Sequence, residues 1–388
     1  DNITELCLLK IESVKSFKLR THCHIVQIET DTGIIGIGES GFWGFPEGTE
    51  GILKRLTKYL LDKDPLRIDH HWQYIYRNNH HRGGALHGAL SAIDIALWDI
   101  KGKYFDAPVW QLLGGKCREK VRVYMHIRGD SNEELVRDAE EKVREGFTAV
   151  RLSPFVPASQ KLTYSARLKT TVNRVKAVRD AVGDEVDVLI DVHNRLTPDE
   201  AIVLGRELVK YRLLFIEDPT TQDTVEAMAY VAANCLVPVA TGERLHTIFE
   251  FNSFLHKRAC AYIRPDICLA GGITQTKKIV ALAEAYQVLA VPHNPLSPIS
   301  TAACVQIDAC APNCLIQEYT GDGSLPGQEW KREVVKAPLK LEKGYLIVPD
   351  TPGIGITLNE RGVENNMKEF MERPLKTPLH EDGSVADN

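Results

Sequence analysis

The sequence predicts an α/β protein: a parallel (β/α) barrel that follows a smaller α+β unit. Three observations carry this expectation. From about residue 120, eight short β-type runs alternate with amphipathic helical stretches. Before that point, strands are followed by helices rather than interleaved with them. Three carboxylates, Asp191, Glu217 and Glu243, each close a β-type run and lie 26 residues apart in each case.

The first unit is expected to span 1–118. Residues 24–30 (HIVQIET) and 34–38 (IIGIG) read as strands joined by Asp31-Thr32-Gly33, a hairpin signal. From about 50 the pattern turns helical. In Ala89–Trp98 apolar residues recur every three or four positions, a buried helical stripe of small side chains. Pro108 and Gly114-Gly115 punctuate its end. Strands followed by helices make an α+β unit.

The second unit, 119–339, holds the candidate strands 121–127, 148–153, 187–193, 213–218, 237–243, 261–266, 288–293 and 314–319. Eight β-then-α units favour a closed barrel, although counting alone leaves a doubly wound sheet open. Residues 340–388 are turn-rich and charged; 381–388 (EDGSVADN) is expected to be a mobile tail.

Composition narrows the function. The 388 residues are 44% hydrophobic and 26% charged with a net charge of −5, which suits a globular protein and speaks against a nucleic-acid binder. Nine scattered cysteines without a CxxC pair suit neither a zinc module nor a disulfide scaffold, so buried free thiols are expected. With no basic-then-apolar leader and no uncharged apolar run of membrane length, the expected location is cytoplasmic, with no membrane partner.

In a barrel of this type, polar residues at the C-terminal strand ends form the catalytic face. Three carboxylates converging there repel one another, and a divalent cation relieves that repulsion. All-oxygen ligands favour Mg²⁺ over zinc. A single acid at such a place is more often a helix N-cap; three on consecutive strands favour the metal. Strand alternation puts His193, two residues past Asp191, on the same face. His293 ends the seventh run and Asp266 the sixth, so the acid can hold Nδ1–H of His293 and sharpen the other nitrogen as a base. Glu318, ending the eighth run, is a candidate for bonding a substrate, against the plainer reading of a salt bridge in the barrel mouth. The other eleven histidines have no assigned role, with His126 and His246 the nearest exceptions because they lie near strand ends.

The segments IDVH (190–193), IEDP (216–219), TGE (241–243), RPD (264–266), AGGIT (270–274) and PHNPLSP (292–298), in that order, resemble the mandelate racemase subgroup of the enolase superfamily. So does 91–115, and the resemblance spans essentially the whole chain. It implies an α+β capping domain built from both chain ends, a (β/α)₇β TIM-type barrel and one Mg²⁺. Within the subgroup the chain is most similar to acid-sugar dehydratases. The 292–318 segment and the Asp266–His293 pair resemble the galactonate type. DVHNRLTPDEA and IQEYTG resemble the mannonate type, which implies a Tyr and an Arg on the loop after strand two, here Tyr164 and Arg167. Many relatives carry Lys-x-Lys at the end of strand two; here Arg151-Leu152-Ser153 stands instead, and arginine is a poor base. Arg151 is therefore a candidate substrate contact, and a two-base racemase with a strand-two lysine is disfavoured. Specificity in this family resides largely in capping loops, which makes Trp43, Phe42 and Arg20 further candidates.

The expected reaction is β-elimination of water from a sugar acid (an aldonate), with His293 taking the proton next to the carboxylate and His193 protonating the departing 3-hydroxyl. Either the reversed roles or Tyr164 as base stay open. Racemisation or epimerisation at C2 of a hydroxy acid is one alternative, and a non-catalytic member that keeps the fold is another. The relatives imply a homo-oligomer.

Overall fold

The computed structural model describes residues 9–20, 22–42, 44–323, 325 and 327–386. The chain opens with an antiparallel sheet, β1 (Ile11–Leu19), β2 (Cys23–Thr30) and β3 (Ile35–Glu39). The expected hairpin is present as β2–β3. β1 was not anticipated; its Ser, Lys and Glu residues blur the apolar alternation of a half-exposed edge strand. Helices α1 (Pro46–Leu60), α2 (Ile68–Asn78), α3 (Gly84–Tyr104) and the short α4 (Val109–Leu112) follow. Helix α3 carries the predicted small-residue stripe and packs directly on β3. A Cβ on Gly38 would stand 2.0 Å from the Ala92 carbonyl oxygen, so only glycine permits this approach.

The second unit alternates strand and helix: β4 (Lys120–His126), α5 (Asn132–Arg144), β5 (Ala149–Leu152), α6 (Tyr164–Val182), β6 (Asp187–Asp191), α7 (Pro198–Leu208), β7 (Ile216–Glu217), α8 (Val225–Asn234), β8 (Val239–Thr241), α9 (Ile248–His256), β9 (Tyr262–Ile263), α10 (Gly272–Ala285), β10 (Leu289–Ala290), α11 (Pro298–Cys310) and β11 (Gln317–Tyr319). Neighbouring strands pair in parallel from β4 to β10. β11 pairs with β4, and the Ala290–Cys314 bridge joins the remaining edges. The sheet therefore closes as a (β/α)₇β barrel, which settles the choice against a doubly wound sheet. Ser131 with Glu134, Thr197 with Glu200 and Thr247 with Glu250 form capping boxes that fix where α5, α7 and α9 begin.

Contacts from α3 and from the C-terminal segment join the units. Ser91 and Asp94 of α3 accept the backbone N–H groups of Gly271 and Thr274, each at 2.9 Å, and Trp98 donates to the Thr274 hydroxyl. This accounts for the AGGIT segment, in which Gly272 lies in the left-handed region against the Asp94 carboxylate. From the far end, β12 (Leu341–Glu342) and β13 (Tyr345–Ile347) form a hairpin whose β13 pairs antiparallel with β4. After the short α12 (Trp330–Glu333) and that hairpin, α13 (Glu360–Lys368) returns to β1, and Arg20 donates to Asn366 at 2.8 Å. The tail expected to be mobile is in part seated: Leu379 bridges Val385, and the His380 ring meets the Gln160 carbonyl at 3.1 Å. Among the described residues, eight cysteines are free, six of them buried, and no helix is long and apolar enough to cross a membrane.

Candidate active site

The bore of the barrel is filled by one side chain per strand. Tyr124, Ala149, Leu189, Phe215, Ala240, Val291 and Ile316 form a separate buried cluster, with Tyr262 packed against it. Strand side chains alternate, so the residue two positions on points inward one layer higher. Stepping up by two from each of these reaches His126, Arg151, Asp191, Glu217, Arg264, His293 and Glu318. This is the polar layer of the mouth. Only the β8 position, Gly242, lacks a side chain there, and Glu243 follows it.

Asp191 and Glu217 are register partners on adjacent strands and both are buried. Arg151 contacts the Asp191 carboxylate, and its Nε is 3.9 Å from Glu217. Arg264, fully buried over the Tyr124 and Phe215 rings, places Nε 2.6 Å from Glu217 Oε1 and donates from Nη2 to Glu318 Oε2 at 2.6 Å. The Glu217 contact is off the hydrogen-bond line, so both oxygens of that buried carboxylate lack a hydrogen-bond donor. Burial raises the Glu217 carboxyl to about 7 against the pull of Arg264 and Arg151. Two facing acids, one of them with orphaned oxygens, suit an added cation by donor chemistry. Among the described residues no three His, Cys, Asp or Glu side chains already converge as a metal-holding cluster; here the Arg151 guanidinium meets the charge of Asp191.

The Asp266–His293 pair forms as expected. His293 Nδ1 is 2.8 Å from Asp266 Oδ2, while Asp266 Oδ1 accepts the Cys268 N–H at 2.8 Å. His293 Nε2 faces Glu243 at 3.3 Å. Burial opposes charge on His293, but Glu243, Glu318 and Asp266 outweigh it and raise its pKa to about 10. Reciprocally, burial of Glu243 is outweighed by His293 and His193, which hold its carboxyl down. His193 thus stands within electrostatic reach of Glu243, but by a different route than strand alternation. β6 ends at Asp191, and His193 and Asn194 have φ of 57° and 63°, a left-handed turn in which Asp191 accepts the His193 N–H.

Glu318 follows the plainer reading. It accepts from Arg264 and from the Asn294 N–H at 2.9 Å, and it lies 2.8 Å from His126 Nε2. Burial opposes its charge, but Arg264, His293 and His126 hold its carboxyl well below the usual range. The sequence reading gave Arg264 no role; its signal was its place two residues before Asp266. Tyr164 and Arg167 are not brought to the carboxylates. Tyr164, 45% exposed, opens α6 in a cleft with Leu168 and Leu196, and Arg167 is paired with Glu200. Of the capping loop, Phe42 packs on Phe45 and Arg20 pairs with Glu369, while Trp43 lies outside the described residues.

Residues 13–114 match the profile of the mandelate racemase/muconate lactonizing enzyme N-terminal domain, and 134–362 match that of the enolase C-terminal domain-like family. The chain belongs to this branch of the enolase superfamily. It is 36% identical to a D-galactonate dehydratase of Cronobacter sakazakii and 37% identical to one of Ralstonia pickettii, each match covering 98% of this chain and all of the relative. A crystal structure of an enolase of Agrobacterium radiobacter, a candidate galactarate dehydratase with sodium and L-malate bound, superposes with a TM-score of 0.90 at 30% identity, covering 98% of this chain and 100% of that one. The chain is an enzyme of the hydro-lyase class.

Proposed function

We propose that the chain dehydrates a sugar acid of the aldonate type to a 2-keto-3-deoxy acid. The observation that carries this reading is the buried Asp266–His293 pair aimed at Glu243, beside Asp191 and Glu217. Asp191, Glu217 and Glu243 are the residues to hold Mg²⁺. An ion held by these acids would supply positive charge for the ene-diolate and would offset the Glu243 charge that raises His293. Asp266 keeps a proton on Nδ1, so Nε2 of His293 takes the C2 proton of the substrate. His193 gives its proton to the 3-hydroxyl, which leaves as water. The resulting enol then tautomerises to the ketone. Arg264, itself held by Glu318, positions Glu217 from within the same layer. Residues 1–118 are read as the cap over this mouth, and α13 of the C-terminal segment returns to that unit while the β12–β13 hairpin stays at the opposite end of β4; relatives named for D-galactonate dehydration support the substrate class.

The test is a panel of hexonates and pentonates with Mg²⁺ in D₂O, followed by proton NMR. Loss of the C2 proton together with the 3-hydroxyl is the expected result. Exchange at C2 with the 3-hydroxyl retained would replace dehydration by epimerisation. No turnover of any aldonate removes the reading.

A further inference from the structure

Beside the mouth, two cavities share one wall. The first, of about 460 Å³, lies between the loop after β5 and the C-terminal segment and is lined by Phe155, Gln160, Arg167, Arg195, Lys376 and His380 among others. The second, of about 400 Å³, shares Phe155, Gln160 and Arg195 and adds Arg128 and Arg174. Each is large enough for a small ligand.

The charge here is one-sided. Arg167 is matched by Glu200, and Arg174 donates to the Gly129 and Asp130 carbonyls. Asp130 is the one acid in either lining. Among the described residues, Arg195 and Lys376 form no carboxylate ion pair. Arg195 lies over the Phe155 ring at 5.8 Å, and its Nε is buried without a hydrogen-bond partner. The half-buried guanidinium lines both cavities without a carboxylate partner, and its planar fork suits carboxylate or phosphate.

We propose that this double cavity is an anion-binding site in which Arg195 and Lys376 take a carboxylate- or phosphate-bearing small molecule. It goes beyond the dehydratase reading and does not need it. Arg195 follows His193 by two residues, so the site opens on the same barrel face as the mouth. The anion is either the far end of a doubly charged substrate or a separate ligand. The C-terminal segment supplies Lys376 and His380, so the ligand also ties that segment to the barrel.

The experiment is calorimetric titration of the full-length, Mg²⁺-loaded protein with inorganic phosphate, which needs no turnover. Saturable binding is expected. A charge-assisted hydrogen bond contributes about 1.5–3 kcal/mol, so Arg195→Gln is expected to weaken binding by about tenfold or more. Lys376→Gln, on the terminal segment, is the second variant, and thermal melting of both checks folding. Absence of saturable binding, or full affinity in both folded variants (phosphate held elsewhere, as in the mouth), overturns the proposal. Kinetics separate the two sources. A raised KM for sugar diacids but not monoacids in Arg195→Gln identifies the far end of the substrate. Unchanged KM for both, with phosphate binding lost, identifies a separate ligand.

Discussion

Asp266→Asn tests the base directly. Asp266 is 1% exposed; one oxygen accepts the Cys268 N–H and the other faces His293 Nδ1. In the asparagine variant the amide oxygen keeps the Cys268 bond, because a backbone N–H needs an acceptor. The NH₂ group is then forced towards His293 Nδ1. A donor there requires Nδ1 to be unprotonated, which puts the ring proton on Nε2, the nitrogen that must accept the substrate proton. The ring stays in place but presents the wrong tautomer. General-base catalysis is worth ~10²–10⁴-fold, so kcat on the best aldonate should fall by about that factor. The same fall is expected in C2 proton exchange by NMR, while the thermal midpoint changes little because size and the Cys268 bond are kept. A folded Asp266→Asn enzyme that exchanges the C2 proton at the parent rate would refute the base assignment.

Three further outcomes follow from the same geometry. Arg264→Met strands the buried Glu217 and Glu318, and breaking a buried pair costs about 3–5 kcal/mol, so the urea midpoint should drop accordingly; an unchanged midpoint means these acids are not held by Arg264. Chelation with EDTA should abolish aldonate turnover, with Mg²⁺ restoring it and raising the thermal midpoint, since an ion that binds the native state stabilises it; activity that survives full chelation excludes the metal role. Burial raises Asp94 from its usual 3.8 to about 7. The folded state therefore holds a proton that the unfolded state releases, and stability falls as pH rises from about 4 to 7. Asp94→Asn keeps the acceptor for Thr274, so its melting advantage over the parent should grow across that window and level off above it; a constant difference would show that Asp94 is charged throughout.

Much of this could be read from local pattern. The eight barrel strands, their order, and the placing of Asp191, Glu217 and Asp266 at or just past strand ends follow from period-two alternation and from βα units of even length. Both are properties of short windows. Strand lengths were overestimated, as in 213–218 against Ile216–Glu217, because the barrel's tilt leaves few residues in ladder pairing. The sequence also placed Asp266 and His293 on neighbouring strands, and hence within reach. It expected His193 beside the carboxylates by strand alternation, whereas a left-handed turn after Val192, set by the loop it enters, is what brings His193 within reach of Glu243. What only the tertiary structure decided involves partners distant along the chain. Arg264 joins Glu217 to Glu318, Arg151 meets Asp191, and Lys376 comes to line one cavity with Arg195. No local pattern specifies those meetings, because barrel closure and the return of the chain end set the distances. Whether a buried charge is matched or left over is decided by which distant side chain comes to lie beside it.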